Sequence, residues 1–310
     1  MYSFVIPCYN SSESIRHVVE LTMEEMEKMN RREFEFVLVN DYSSSTKTMP
    51  VLKKLAEEYP CVTVLNLAKN AGQHNAIMAG LNYAKGDILI GMDDDMQTHP
   101  SQLPYLFEEL EKGYDIVYGY YPEKKHSAFR NFGSWVNYIS VRILIGKPKE
   151  LKTSSYWVAR KFVRDSVIEY QAPYAYIQGL FLRTTRNISC IPIQHFQREE
   201  GESNYTFKRL LKLWSNIIGF SITPLRLTEY CGFGLSLLSI IAAVVVLIRK
   251  ILNPAMALGW PSLMIVICFF SGIQLIGLIG EYIGRMFLGL NRQPQYVIRE
   301  VIRQESEEQE

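Results

Sequence analysis

Cysteine is scarce and unpatterned in this sequence. Cys8, Cys61, Cys190, Cys231 and Cys268 make an odd set, and no CxxC occurs. That argues against a disulfide framework or a thiolate zinc site and leaves reduced, mostly buried thiols. Glycine-rich phosphate loops are also lacking. GFGLSL, starting at Gly232, misses the third glycine of a dinucleotide loop and lies in an apolar run. Gly146 and Lys147 have no glycine where GxxxxGK requires one. A dinucleotide-dependent oxidoreductase is thereby set aside. Excess charge is absent too: 33 Lys and Arg stand against 32 Asp and Glu, for a net +1. The total balance therefore says little about partners. The first residues, MYSFVIPCYN, have no basic start and too short an apolar run for a cleavable signal.

What the chain does have is unevenly placed. The run Tyr230–Ile248 carries no charge, and neither does Ala255–Gly280. A helix crossing a bilayer core of about 30 Å takes roughly 20 residues. Two such runs in sequence read as a membrane hairpin, with a pair of buried helices as the alternative. With no signal ahead of it, the N-terminal part is expected on the cytoplasmic side of a bacterial inner membrane, as the catalytic part of a multi-pass protein. Arg226 before the first run and Arg285, Arg292, Arg299 and Arg303 after the second agree with positive-inside, whereas Arg249 and Lys250 oppose it.

The first 120 or so residues alternate strand and helix patterns. YSFVIP, EFEFVLVN, VTVLNL, DILIGM and DIVYG read as strands. Helices are expected over 12–29, capped by Asn10 or Ser11, and over about 51–59, 73–84 and 101–112. This predicts an α/β fold with a mostly parallel sheet and helices on both faces. Ligands bind such sheets at the carboxyl ends of strands, where NDYSSS and MDDDMQ fall. Between 124 and 164, Lys and Arg dominate with Glu150 as the lone acid, interleaved with Phe129, Phe132, Trp135 and Tyr138. Such a stretch suits phosphate, nucleic acid or a membrane surface. The apolar runs downstream favour the membrane, and no nucleic-acid partner is expected. Residues 205–221 have an amphipathic pattern that fits an interfacial helix or an ordinary packed one. The tail RQESEEQE is acidic and polar, as disordered segments are. The expected division is 1–204 catalytic, 205–228 juxtamembrane, 229–284 hairpin and 285–310 cytoplasmic tail.

Asp93, Asp94 and Asp95 end the DILIGM strand. If strand geometry persists, Asp93 and Asp95 point the same way, and Gln97 continues the alternation. Two carboxylates on one side suit a hard cation such as Mg²⁺ or Mn²⁺ that keeps positions open for phosphate oxygens. A solvated acidic turn is the competing interpretation.

FVIPCYN, FVLVNDYSSS, NAGQHNAIMAGLNYAKGDILIGMDDDMQTHP and GESNY, in this order, resemble the family 2 glycosyltransferases with a GT-A fold. The resemblance is narrower to the polyprenyl-phosphate glycosyltransferases, including the dolichyl-phosphate-mannose and undecaprenyl-phosphate-sugar synthases. It covers about 1–226, and the two apolar runs fit the membrane-anchored bacterial branch. It implies that Asp93, Asp95 and Gln97, a DxDxQ, hold the metal and the donor diphosphate with Asp94 beside them. Pro7, Tyr9, Asp41, Asn70 and Gly72 would line the nucleotide, while Ala76 and Gly80 pack the helix behind it. Arg130 would meet the acceptor phosphate. Arg198 and Ser203, in REEGESNY, would face donor or acceptor phosphates. Asp95, Arg130 and Arg198 are thus the expected catalytic residues.

Departures occur at Asn40, where an aspartate is common, and at Asn204, where lysine is usual. LKTSSYWVARK departs most: Lys152, Ser155 and Trp157 replace an Asp-rich segment and Phe-Arg-Leu. A carboxylate sometimes proposed as base is missing. A lipid phosphate is already anionic, so positioning matters more than deprotonation. The implied reaction is metal-dependent inverting transfer of a sugar, from a UDP-sugar as the expected donor, to a polyprenyl phosphate such as undecaprenyl phosphate. Membrane lipids are the further partners, and the resemblance implies homo-oligomers. The alternatives are a hydroxyl-acceptor glycosyltransferase and an inactive scaffold. None of the tryptophans follows Arg as in the QxxRW of processive synthases, and a hydroxyl acceptor would want a base. Trp157, Tyr176, Gln178 and His195 are sugar-pocket candidates by position.

Overall fold

The computed structural model describes residues 1–122, 142, 146–194, 223–253, most of 276–291, and 293–304. Its centre is an eight-stranded sheet in the order β7-β5-β6-β4-β1-β2-β3-β8. The strands are β1 (Tyr2–Cys8), β2 (Phe34–Asn40), β3 (Val62–Leu67), β4 (Ile88–Gly91), β5 (Ile116–Tyr120), β6 (Trp157–Arg160), β7 (Ile188–Pro192) and β8 (Ile298–Ile302). The helices are α1 (Ile15–Lys28), α2 (Thr48–Glu58), α3 (Gln73–Tyr83), α4 (Leu103–Glu111), α5 (Lys161–Ile168), α6 (Ile177–Thr184) and α7 (Thr223–Leu252). A 3₁₀ turn, Pro100–Gln102, leads into α4.

β1, β2, β3 and β4 pair in parallel, and so do β5 and β7. β6 runs antiparallel to both β4 and β5, and β8 antiparallel to β3. Apolar side chains on the two faces form two cores. One, under α3, α5 and α6, includes Val5, Val37, Leu65, Ile77, Trp157 and Phe181. The other, under α1, α2 and α4, includes Phe4, Ile6, Phe36, Leu38, Leu52 and Phe107. β1 to β4 read as continuous apolar runs because they are covered on both faces.

α1 begins at Ile15, after the expected 12, and Ser14 stands at its N-cap with no side-chain cap bond. Asn10 sits in the left-handed region at φ 58. Its amide instead holds the next loop: Oδ1 accepts from Ser45 N at 2.9 Å, and Nδ2 donates to Ser44 Oγ at 3.0 Å. α2 starts at Thr48, a turn before the expected 51.

Residues 285–310 were set apart as a tail, yet Ile298–Ile302 forms β8 and completes the sheet. Val64 faces Ile302 and Asn66 faces Glu300. Lys53 pairs with Glu300 at 3.2 Å, and Gln295 Nε2 donates to the carbonyls of Tyr170 and Ala172 at 2.6 and 2.8 Å. A short strand rich in charge gives little sequence signal, and its partner lies more than 200 residues away. Among the described residues Cys8, Cys61, Cys190 and Cys231 are free thiols, but only Cys8 is buried; Cys61 and Cys190 are partly exposed and Cys231 is exposed, which corrects the expectation of mostly buried thiols.

Among the residues whose side chains are described, no helix is long and apolar enough to cross a membrane. Several positions inside α7 fall outside that set. The amphipathic stretch 205–221 and most of the second apolar run also lie outside the described residues, as do 305–310 of the acidic tail.

Gly80 and Gly91 record close approaches. A Cβ on Gly80 of α3 would lie 2.4 Å from Val5 Cγ1, so α3 sits directly on β1, as the resemblance implied. A Cβ on Gly91 would lie 2.2 Å from the Trp157 indole, which crosses over the end of β4. Trp157 is only 2% exposed and meets Phe181 edge-on at 4.8 Å. It is a core residue, which corrects its placement in the sugar pocket. Gly91→Ala should lower unfolding free energy by about 1–3 kcal/mol, because a rigid indole has no room to yield. Denaturant melts of wild type and variant, at matched slope, check this.

Candidate active site

β1 lies between β2 and β4, and the chain winds outward from it in both directions. Such a switch point opens a crevice at the strands' carboxyl ends. β4 pairs with β1 only as far as Gly91, opposite Val5. Pro7, which has no N–H to give, stands just past that limit and faces Val39 on the other side. Three loops meet above the opening: 8–14 after β1, 41–47 after β2 and 92–99 after β4. The start of α3 forms the fourth wall.

Each loop carries a residue in the left-handed region: Asn10 at φ 58, Tyr42 at φ 53 and Met96 at φ 63. For side chains such as Tyr and Met this conformation is uncommon and costs about 1–2 kcal/mol. The loops must be held by specific contacts, and hydrogen bonds between them do this.

Asp41 is 4% exposed. Its N–H reaches Cys8 O at 3.0 Å, tying β2 to β1. Its carboxylate accepts from Ala71 N at 2.6 Å and Gly72 N at 2.9 Å, while Asn70 Nδ2 donates to its carbonyl at 3.0 Å. An anion thus sits against the first N–H groups before α3, where the helix dipole favours it. Gly72 takes φ 86, which a residue with a side chain rarely adopts. Asn40, in place of aspartate, is equally engaged. Its Oδ1 accepts from Ser43 N and Oγ, and its Nδ2 donates to Asn66 Oδ1 at 2.9 Å.

The three aspartates take separate roles. β4 ends at Gly91, so strand alternation does not extend to Asp93 and Asp95; a turn places them instead. Thr98 Oγ1 exchanges hydrogen bonds with the Asp93 backbone, accepting from N at 2.9 Å and donating to O at 3.2 Å. Asp95 Oδ1 accepts from Gln97 N at 3.2 Å, and the Tyr121 hydroxyl donates to Gln97 O at 2.8 Å. The Tyr121 hydroxyl's pKa is raised, chiefly by burial and further by the charges of Asp93 and Asp95.

Asp94 turns the other way. Its Oδ2 accepts from Tyr9 N at 3.0 Å, and its carbonyl accepts from the Ser14 hydroxyl. Burial pushes its carboxyl up to about 6, against the opposing hydrogen bond from the Tyr9 N–H. Burial also raises the Cys8 thiol, with Asp94 adding to the shift.

The crevice therefore brings together Pro7, Tyr9, Asp41, Asn70, Gly72, Asp93, Asp94, Asp95 and Gln97. Arg130, Arg198, Ser203, Asn204 and His195 lie outside the described residues. Tyr176 and Gln178 hydrogen-bond each other at 2.6 Å, and Tyr176 packs edge-on against His74 at 5.1 Å. Tyr9 and Tyr42 are 51% and 53% exposed at the rim. Gln73, Tyr121 and Ser155 also touch the acidic turn. Gln73 and Ser155 lie in stretches that the sequence singles out, but without this contact, and nothing local marks Tyr121.

Among the described residues no group of three or more His, Cys, Asp or Glu is arranged for a metal ion. The Asp93 and Asp95 carboxylates, two residues apart on one turn, are an oxygen-only, incomplete donor set. It fits a hard cation whose remaining positions go to phosphate oxygens and water, as with Mg²⁺.

A family model for glycosyl transferase family 2 matches residues 3–170, the segment that builds this crevice. The chain belongs to glycosyl transferase family 2. It is 34% identical, over 99% of its length and 97% of the relative's, to undecaprenyl-phosphate 4-deoxy-4-formamido-L-arabinose transferase of Edwardsiella ictaluri (strain 93-146). A protein of the same name from Pseudomonas savastanoi pv. phaseolicola is 33% identical over 98% of this chain and 92% of its own. Among solved structures, glucosyl-3-phosphoglycerate synthase from Mycobacterium tuberculosis, in complex with Mn²⁺, uridine diphosphate and phosphoglyceric acid, superposes with a TM-score of 0.51 at 16% identity. That match covers 72% of this chain and 78% of the other, and at such identity it speaks to the family 2 fold alone.

Asp41→Ala would leave the Ala71 and Gly72 N–H groups unmatched. A loss of about 1–3 kcal/mol in stability is expected, with faster amide hydrogen exchange concentrated at 70–74. Exchange mass spectrometry on the purified chain reads both.

Proposed function

We propose that this glycosyltransferase moves a sugar from a nucleotide donor, a UDP-sugar, to a polyprenyl phosphate, undecaprenyl phosphate, with inversion at the anomeric carbon. The observation that carries this is the Asp93–Gln97 turn at the sheet's switch point, in a chain similar over nearly its whole length to undecaprenyl-phosphate sugar transferases.

Tyr9 and Tyr42 are the exposed aromatic rims between which a nucleobase packs. Asn70 and Gly72 border the ribose side. Asp93, Asp95 and Gln97 would hold Mg²⁺ or Mn²⁺ with the diphosphate, and the Mn²⁺ and nucleotide of the mycobacterial structure support that choice. When bound, such a cation neutralises charge on the departing diphosphate. Arg130 and Arg198 are assigned to the acceptor and donor phosphates, as the resemblance implies. The acceptor phosphate is anionic at neutral pH, so the residues orient it in line with the anomeric carbon. Ser155, where a base carboxylate would stand, points into the acidic turn and cannot take a proton there.

The acceptor's lipid nature places the chain at a membrane. α7 is 30 residues long, about 45 Å of helix, and its run Tyr230–Ile248 carries no charge. Phe233, Leu237, Leu238, Ile240 and Ile241 are all more than half exposed. Such a surface is stable only when something apolar covers it, and lipid is the proposed cover, with the second run completing a hairpin. Near the start of α7 a groove of about 670 Å³ runs along Leu225, Gly232, Ile279, Ile283 and Met286, with Thr228, Glu229 and Tyr282. An isoprenoid chain suits its apolar lining.

The first test is sugar transfer to undecaprenyl phosphate from a panel of labelled UDP-sugars, including a UDP-activated formamido-arabinose, and GDP-mannose. A metal-dependent, chloroform-soluble, mild-acid-labile product is expected; no product from any donor counts against the proposal. Asp95→Ala should lower turnover by at least about 100-fold, since it removes a group acting on transition-state charge. In cell fractions, the chain should stay with membranes through carbonate washing, whereas release into the wash would refute the hairpin.

A further inference from the structure

Both carboxylate oxygens of Asp93 accept from side-chain donors. Gln73 Nε2, at the start of α3, donates to Oδ1 at 2.9 Å. The Ser155 hydroxyl donates to Oδ2. Neither donor belongs to the acidic motif.

The backbone explains how Ser155 arrives. β4 and β6 are antiparallel, with Ile90 opposite Val158 and Gly91 opposite Trp157. The ladder ends there, and the turn after Gly91 brings Asp93 beside Ser155, two residues before Trp157. The register is fixed by the Trp157 indole, which lies over the bare face of Gly91. Sliding one residue would drive that indole out of the core. Ser154 adds a second lock: its Oγ donates to Gly119 O on β5, and also to Tyr156 O at 3.1 Å.

A carboxylate at position 155 would meet Asp93 as a like charge. A hydroxyl meets it as a donor and leaves Asp93's remaining lone pairs for a cation. We propose that Ser155, supported by Gln73, is a positioning residue that aims the Asp93 carboxylate at the divalent cation; this rests on the metal assignment to Asp93 and Asp95. Partners one step behind a metal ligand typically change affinity by tenfold or more when removed. Gln73 is exposed, so water can replace it, and Ser155 is the stronger of the two.

The test is binding of Mn²⁺ to the purified full chain, followed by the loss of the free-ion electron paramagnetic resonance signal, with UDP present. Ser155→Thr and Ser155→Val differ in the hydroxyl and little in shape. The valine variant should bind Mn²⁺ about tenfold more weakly, and the threonine variant should bind close to wild type. Thermal melts confirm that both are folded, and Ser155→Ala serves if valine is not. Turnover of the valine variant should recover at high Mn²⁺. Equal Mn²⁺ affinity in the threonine and valine variants would overturn the role of Ser155, provided that Asp93→Asn still weakens binding. Wild-type affinity in Asp93→Asn would instead overturn the metal assignment, and the Ser155 role with it.

Discussion

Three adjacent carboxylates cannot share one environment, and the loops of the crevice are organised around separating them. Asp94 is turned under the β1 loop onto the Tyr9 N–H. Asp95 caps its own turn through the Gln97 N–H. Asp93 lies between donors from α3 and the approach to β6. A buried charge is tolerated only when hydrogen-bonded or otherwise compensated. With Asp94 turned to the β1 loop, Asp93 and Asp95 remain on the turn whose Gln97 carbonyl accepts from the Tyr121 hydroxyl.

The same economy of anions and N–H groups recurs across the crevice. Asp41 gathers Ala71 and Gly72, so the end of β2 and the start of α3 move as one body. Asn10 and the serines after Tyr42 join the β1 and β2 loops. These contacts hold Asn10, Tyr42 and Met96 in left-handed backbone that their side chains disfavour. Strain held in place this way keeps the crevice preformed, which reduces the ordering cost of binding there.

Behind this frame the fold is braced from its far end. Gln295 bonds the Tyr170–Ala172 segment. The adjoining Pro173 carbonyl and Ala175 N–H are tied to Asn75 on α3, next to Gln73. The chain after the second apolar run is therefore connected by direct contacts to the wall of the crevice. A segment read as a tail has become part of the sheet.

The alternating apolar runs of 1–120 were enough to set the helix and strand order, because a parallel sheet covered on both faces leaves that period in the sequence. The ordered motifs placed Pro7, Tyr9, Asp41, Gly72 and the acidic turn at one sheet end by themselves. Helix starts were less legible, since α1 begins past Asn10 and Ser11 and the Asn10 amide serves the neighbouring loop instead. What tertiary structure alone decided is partnership across the chain: Ser155 with Asp93, Trp157 against Gly91, β8 on β3. Those contacts follow from antiparallel register and close packing between segments far apart in sequence. Local periodicity carries no record of register, so no pattern in either segment alone could have named the other.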